Sequence, residues 1–255
     1  MDLGVKTPLI DSFRSGEASR EVRLQAAQGG LATRAHEQMA LLALLTGDAD
    51  PEISAAANAT LGMIPPTVLA AFIARPDVTE EMRNFFAARG VAPAEEAAPV
   101  ADAPLVDTAV TPEIPDEEDD EKSAMQRLQG MSVPQKMSRA MKGTREERAI
   151  LVRDPNKLIS VAVLSSPKLT DSEVEAIAKM SSVSEEILRI ISHNRKWVKN
   201  YVVVSALARN PKTPLPISMN LLSRLNEKDL KILSTNRNVP EVLRTTARKK
   251  IVIDK

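Results

Sequence analysis

The sequence predicts an all-α fold, an α-solenoid of stacked helical repeats, on three observations. First, a segment recurs: Leu188 to Arg195 reads LRIISHNR and Leu230 to Arg237 reads LKILSTNR, at an offset of 42 residues. Self-similarity at that period marks a helical unit that cannot bury its apolar face alone and must stack on a copy of itself. Second, Ser166-Pro167-Lys168-Leu169-Thr170 recurs as Asn210-Pro211-Lys212-Thr213-Pro214 at an offset of 44, so loop lengths vary between copies. Third, the aromatics are only Trp197, Tyr201 and four Phe, whereas Ala, Leu, Val and Ile are plentiful, a composition suited to thin helical layers.

The elements follow from cap chemistry. A helix over 21–28 ends at Gly29-Gly30, and one over 35–45 ends at Gly47. Asp50 caps the next, with Pro51 at the first helical position, and that helix runs to Leu61 and stops at Gly62. Pro66 opens a helix over 67–74, and Thr79 caps one over 80–89 before Gly90. Ala74-Arg75-Pro76-Asp77-Val78-Thr79 parallels Ser165-Ser166-Pro167-Lys168-Leu169-Thr170, so both halves of the chain are expected to use one unit. Downstream, Thr144 with Glu147, Thr170 with Glu173 and Ser182 with Glu185 each read as an S/T-x-x-E capping box. Pro214 and Pro240 mark two more starts. The predicted helices are 123–129, 133–142, 145–153, 156–165, 171–180, 183–193, 196–208, 214–225, 227–235 and 240–251. No glycine follows Gly143, so Asn194, Asn210 and Asn236 are expected in the left-handed conformation that ends helices. Tyr201-Val202-Val203-Val204 has strand propensity. Its alignment with 158–164 and its helical flanks predict a buried helix instead.

Charge divides the chain into blocks. Lys plus Arg against Asp plus Glu count 8 to 11 over residues 1–92, 1 to 11 over 93–122, and 25 to 12 over 123–255. The middle block holds five Pro, no Gly, no aromatic and the run Asp116 to Glu121. It cannot bury enough apolar surface to offset its chain entropy, so it is expected to be a disordered linker with a reach of about 30 Å or more. The predicted organisation is therefore an N-terminal helical repeat domain (1–92), an acidic linker (93–122) and a basic helical repeat domain (123–255). The acidic run has a possible intramolecular contact with the basic domain.

Several chemistries are disfavoured. The absence of Cys removes disulfides, thiolate metal sites and cysteine nucleophiles. His36-Glu37 lacks the second His of a metalloprotease motif, since position 40 is Ala40. Lys142-Gly143-Thr144 has the wrong order for a phosphate loop, and no G-x-S-x-G or dinucleotide-binding pattern occurs. His193 reads as a helix-end residue whose ring meets free carbonyls. No catalytic, cofactor-binding or metal-ligating residue is expected, nor a signal peptide or membrane span. A cytoplasmic location is the corresponding expectation.

Asn210-Pro211-Lys212-Thr213-Pro214, with Leu221 and Leu222 after it, resembles leucine-rich-repeat-variant and HEAT-like helical repeats; Asn236-Arg237-Asn238-Val239-Pro240 is a looser match. Lys142 to Glu147, Arg153 to Leu158 and Asn194 to Trp197 are similar to a family of bacterial α-helical repeat proteins, over roughly residues 132–250 and more weakly over 20–90. The resemblance implies an α-solenoid with an interaction role and transfers no catalytic residue. The candidate partner-binding residues are Arg153, Lys157, Arg195, Lys196, Trp197, Lys199, Arg209, Lys212 and Arg237, cations with one aromatic around the inter-helix turns. Two functions follow: a non-enzymatic scaffold for protein–protein interaction, or non-sequence-specific binding of nucleic acid or another polyanion through the basic domain. The lack of a known nucleic-acid motif favours the scaffold.

Overall fold

A computed structural model describes residues 3–32, 34–97, 103–106 and 124–253. Among the described residues the secondary structure is entirely helical. In chain order the helices are α1 (Pro8–Arg14), α2 (Arg20–Ala27), α3 (Ala35–Leu45), α4 (Pro51–Met63), α5 (Pro66–Ile73), α6 (Glu80–Ala87), α7 (Ala124–Gln129), α8 (Val133–Lys142) and α9 (Arg145–Leu151). They continue with α10 (Lys157–Leu164), α11 (Asp171–Lys179), α12 (Glu185–His193), α13 (Tyr201–Arg209), α14 (Leu215–Leu221), α15 (Glu227–Thr235) and α16 (Glu241–Ile253). Short 3-10 turns at Trp197–Lys199 and Leu222–Arg224 follow α12 and α14. The Tyr201–Val204 segment is helical, and Val203 to Ala208 are buried. Tyr201 and Val202 are exposed, against the expectation of a buried segment, and burial from Val203 onward outweighs the strand propensity.

The caps explain most starts. Thr7, Ser19, Asp50, Thr79, Asn156, Thr170, Ser184, Asn200 and Asn226 each accept a hydrogen bond from a backbone N–H of the first turn. Thr144 and Thr170 form the expected capping boxes; Glu147 Oε2 accepts from Thr144 N at 2.9 Å, and Glu173 Oε2 from Thr170 N at 2.9 Å. The third box does not form. Ser184, not Ser182, caps α12, because Val183 and Leu188 then flank the start as buried apolar residues at the two positions of a hydrophobic staple. The sequence reading also missed α1, which Thr7 and Pro8 begin. At Gly143, φ is −71° and the reason for glycine is space: an added Cβ would lie 2.4 Å from Arg139 O and 2.2 Å from Glu147 Oε2.

The asparagine expectation is overturned. Asn194, Asn210 and Asn236 do end helices, but with φ of −79°, −77° and −72° and extended ψ, and no described non-glycine residue has a positive φ. Their side chains do the work instead. Each Oδ1 accepts from the backbone N–H two residues on, at 2.9 Å from Lys196, 3.0 Å from Lys212 and 3.0 Å from Asn238. This Asx turn reverses the chain without a left-handed residue.

The described chain divides into two compact units, residues 1–147 with 156–167, and residues 148–155 with 168–255. That grouping differs from the division at the acidic stretch read from composition. In the first unit α8 packs on α2 and α10, and α10 packs on α1. The reason is burial: every residue from Leu158 to Leu164 of α10 is buried, so α10 needs cover on all sides. In the second unit α11, α12 and α13 pack on one another, α13 on α14, and α14 and α15 on α16. Most of the acidic stretch, 98–102 and 107–122, lies outside the described residues. Of the remainder, Ala94 N donates to Ala70 O at 3.1 Å, and residues 105 and 106 are hydrogen-bonded to α3. No single described helix is long and apolar enough to cross a membrane; α4 and α5 reach that length only together, bent by 92°.

Candidate binding surface

In the second unit the turn from Asn194 to Asn200 gathers four of the candidate residues. Asn194 stops α12, and its Asx turn presents Lys196. The 3-10 turn then carries Trp197 and Lys199, and Asn200 caps α13 by accepting from Val202 N at 2.9 Å. Arg195, Lys196 and Lys199 are exposed, whereas Trp197 is half-buried and so is neither a sealed core residue nor an open stacking plate. Asn200 Nδ2 also donates to Glu175 Oε1 at 2.8 Å, tying the turn to α11. Arg224 joins this turn by donating to Val198 O. Sequence reasoning overlooked Arg224, because only folding brings it beside a turn 26 residues upstream.

The remaining cations differ in how far they are committed. Arg209 lies 3.7 Å from Asp229 and donates to Ser205 O at 3.1 Å, so its charge is partly spent inside the unit. Asp229 also accepts from the Tyr201 hydroxyl, which itself accepts from Asn226 N at 3.1 Å. Tyr201 is 39 % exposed, while desolvation of the hydroxyl and then the bond to Asp229 hold the phenol above its ordinary range. Arg153 is exposed and donates to Ala149 O at 3.0 Å. Lys157 belongs to the first unit, where its Nζ meets Glu17 Oε1 at 2.9 Å. Among the described residues, Arg195, Lys196, Lys199, Lys212 and Arg237 make no ion pair.

The two histidines occupy structural positions. His36 Nε2 lies 3.1 Å from Asp77 O with its ring edge on Phe72, and His193 Nδ1 lies 2.8 Å from Arg189 O at the end of α12. The described residues contain no group of three or more His, Asp or Glu placed to hold a metal ion. In the first unit a pocket of about 480 Å³ is lined by Phe13, Arg14, Arg23, Leu44, Leu45, Gly47 and Asp48. None of the candidate residues lines it, and Arg23 faces Asp48 at 3.2 Å within it.

Helix caps recur with the sequence period. Asn156, Thr170, Ser184 and Asn194 bound α10, α11 and α12; Asn200, Pro214, Asn226 and Asn236 bound α13, α14 and α15, at offsets of 44, 44, 42 and 42. The chemistry recurs too: Asn156 accepts from Leu158 N at 3.0 Å as Asn200 does from Val202 N at 2.9 Å. No protein-family model matches the chain, and no curated protein or solved structure matches it.

Proposed function

We propose that this chain is a non-enzymatic helical-repeat scaffold for protein–protein interaction, with an α-solenoid of three-helix repeats in its C-terminal half. The recurrence of cap positions at 42 and 44 residues supports this most directly, because repeats bounded alike present equivalent turns at regular intervals. The turn at Arg195, Lys196, Trp197 and Lys199, joined by Arg224, is the proposed contact. It combines exposed cations with a half-buried aromatic, the residue types that anchor interfaces.

The cations without ion pairs favour a second reading, electrostatic binding of a polyanion. Salt separates the two. Partners captured by the wild type at physiological salt and lost by the Arg195→Ala, Lys196→Ala, Lys199→Ala variant should include a protein retained at severalfold higher salt. If everything retained is nucleic acid, and log affinity falls linearly with log salt, the polyanion reading replaces the scaffold.

A further inference from the structure

In the first unit, the pocket of about 480 Å³ brings apolar Phe13, Leu44 and Leu45 together with Arg14, Arg23 and Asp48. Its volume is in the range of small-molecule sites. Among the described residues Arg23 makes no hydrogen bond, and its Nε is sealed from solvent. A guanidinium has N–H donors in a fixed fork and no acceptor, and a buried donor left unmet is costly. The one carboxylate beside it is Asp48, 8 % exposed, whose Oδ2 lies 3.2 Å from Nε but out of line for a hydrogen bond. Asp48 Oδ1 accepts from Asp50 N at 2.9 Å, which fixes the carboxylate in place.

The pocket lies where α1 and α3 end, and arginines at such places often serve the last carbonyls of a helix. Those carbonyls are already served. At the end of α3, the oxygens of Leu42, Leu44 and Leu45 accept from the backbone N–H groups of Thr46, Gly47 and Asp48, and Ala43 O accepts from Thr46 Oγ1. At the end of α1, the oxygens of Asp11, Ser12 and Phe13 accept from the N–H groups of Ser15, Glu17 and Gly16. The negative end of a helix resides on unmet carbonyls, so little of it is left here to hold the two cations.

We propose that this pocket binds a small organic monocarboxylate, with its carboxylate on Arg23 and Arg14 and its apolar body against Phe13, Leu44 and Leu45. Charge selects the class: two guanidinium groups and one carboxylate in the lining leave a single positive charge, which matches one carboxylate and not a phosphate dianion. Asp11, 3.9 Å from Arg14, stands outside the lining with its side chain 63 % exposed, where solvent screens it. Asp48 is a positioning residue that holds Arg23 at the site. The inference concerns the first unit and does not depend on the cationic turn of the second.

The test is a titration of the full chain with butyrate, hexanoate and benzoate at constant ionic strength, read from the backbone amide resonances of Leu45 and Asp48. At least one acid should give saturable shifts with a Kd of about 1 mM or below. The matching neutral amides should bind at least about tenfold more weakly, as should inorganic phosphate. Arg23→Gln should lose at least about tenfold in affinity. Gly47→Leu tests the cavity with both guanidinium groups intact. Gly47 is not left-handed and an added Cβ there meets only Leu44 O, at an ordinary 3.8 Å, so this variant folds, fills the pocket and should also lose at least about tenfold. Its result stands whether or not Arg23→Gln folds. The proposal is overturned if none of the three acids gives saturable shifts, if the amides or phosphate bind as tightly, or if the Gly47→Leu chain binds as the wild type does.

Discussion

Three helix ends in the first unit and three in the second close by different means. In the first unit, Gly16 (φ 76°) follows α1, Gly29 (φ 84°) follows α2 and Gly90 (φ 79°) follows α6. Each is left-handed and carries paired backbone bonds: Gly16 N to Phe13 O with Glu17 N to Ser12 O, and Gly29 N to Ala26 O with Gly30 N to Gln25 O. After α6 the pair is Gly90 N to Ala87 O with Val91 N to Phe86 O. These are Schellman ends, which satisfy the last carbonyls with the chain's own N–H groups. The second unit has no glycine and uses Asn194, Asn210 and Asn236 in extended conformation with Asx turns. A glycine end folds the chain back on its own helix. An asparagine end leaves its amide N–H groups free to reach another helix, and Asn210 uses them so: Nδ2 donates to Ala178 O at 2.8 Å and to Met180 O at 2.9 Å, closing the end of α11. At Asn210, the end of α13 and its packing on α11 are thereby one interaction.

Helix starts sharpen the contrast and give the largest expected effect. Both units have a Thr-x-x-Glu box, but Glu147 has its guanidinium, Arg139, only at 3.7 Å, whereas Glu173 is met by Arg148 at 2.8 Å with both side chains under 10 % exposed. Burial opposes ionisation of Glu173. The bonds from Thr170 N, Thr170 Oγ1 and Arg148 outweigh it and hold the carboxyl below its ordinary range. Arg148→Ala leaves a buried carboxylate unpaired and should cost about 3–5 kcal/mol in urea unfolding of the full chain, while Arg139→Ala should cost about 1 kcal/mol. Because the folded pKa of Glu173 is depressed, its stabilising share is complete above the ordinary carboxylate range and disappears as pH falls through the folded value. The gap between wild type and Arg148→Met, whose neutral side chain leaves Glu173 without its cation, should accordingly narrow in acid. A gap independent of pH between neutrality and strongly acid conditions would show that the pair does not set this end of the unit.

The second effect in size tests the asparagine ends themselves. Asn210→Ala removes the cap on Ala178 and Met180 and the acceptor for Lys212 N together, at a position only 5 % exposed, and should cost about 2–3 kcal/mol. Asn236→Ala, whose amide oxygen serves only Asn238 N among the bonds described, should cost about 1 kcal/mol or less. Comparable losses at both sites would mean that Asn210 contributes a local turn and no stacking.

The helices were legible because their starts are written in local side chains: Thr79, Thr170 and Asp50 each cap the turn that follows, and Pro51 takes a first helical position. The ends were less so. An asparagine after a helix fits either a left-handed residue or an Asx turn, and nothing local to Asn194, Asn210 or Asn236 decides between them. Ser182 and Ser184 compete for one cap, and burial of Val183 decides. The pocket at Arg14, Arg23 and Asp48 gave no signal, because these residues come from three separate segments that only folding brings together. Of the cationic site, Arg195, Lys196, Trp197 and Lys199 could be read because they are contiguous. Arg224 could not, and the commitments of Arg209 to Asp229 and Lys157 to Glu17 depend on tertiary contacts. The grouping of helices into units depends on which faces cover α10, and charge composition carries no information about that.

The smallest effect separates backbone preference from side-chain bonding at otherwise exposed ends. An added Cβ at Gly16 meets nothing within 4 Å, so Gly16→Ala carries only the cost of placing an L-residue at φ 76°, about 1–2 kcal/mol. Gly16→Asn should cost less, since asparagine tolerates that region. At Asn194 the order inverts. Its φ of −79° suits any residue, so glycine brings no conformational relief there and adds chain entropy to the unfolded state. Asn194→Gly should therefore destabilise by about 0.5–1 kcal/mol, and Asn194→Ala by a few tenths less, as water replaces Oδ1 at the exposed Lys196 N–H. Urea midpoints of the four variants decide the matter. If Asn194→Gly stabilises the chain, the residue is left-handed in solution and the second unit ends its helices as the first one does.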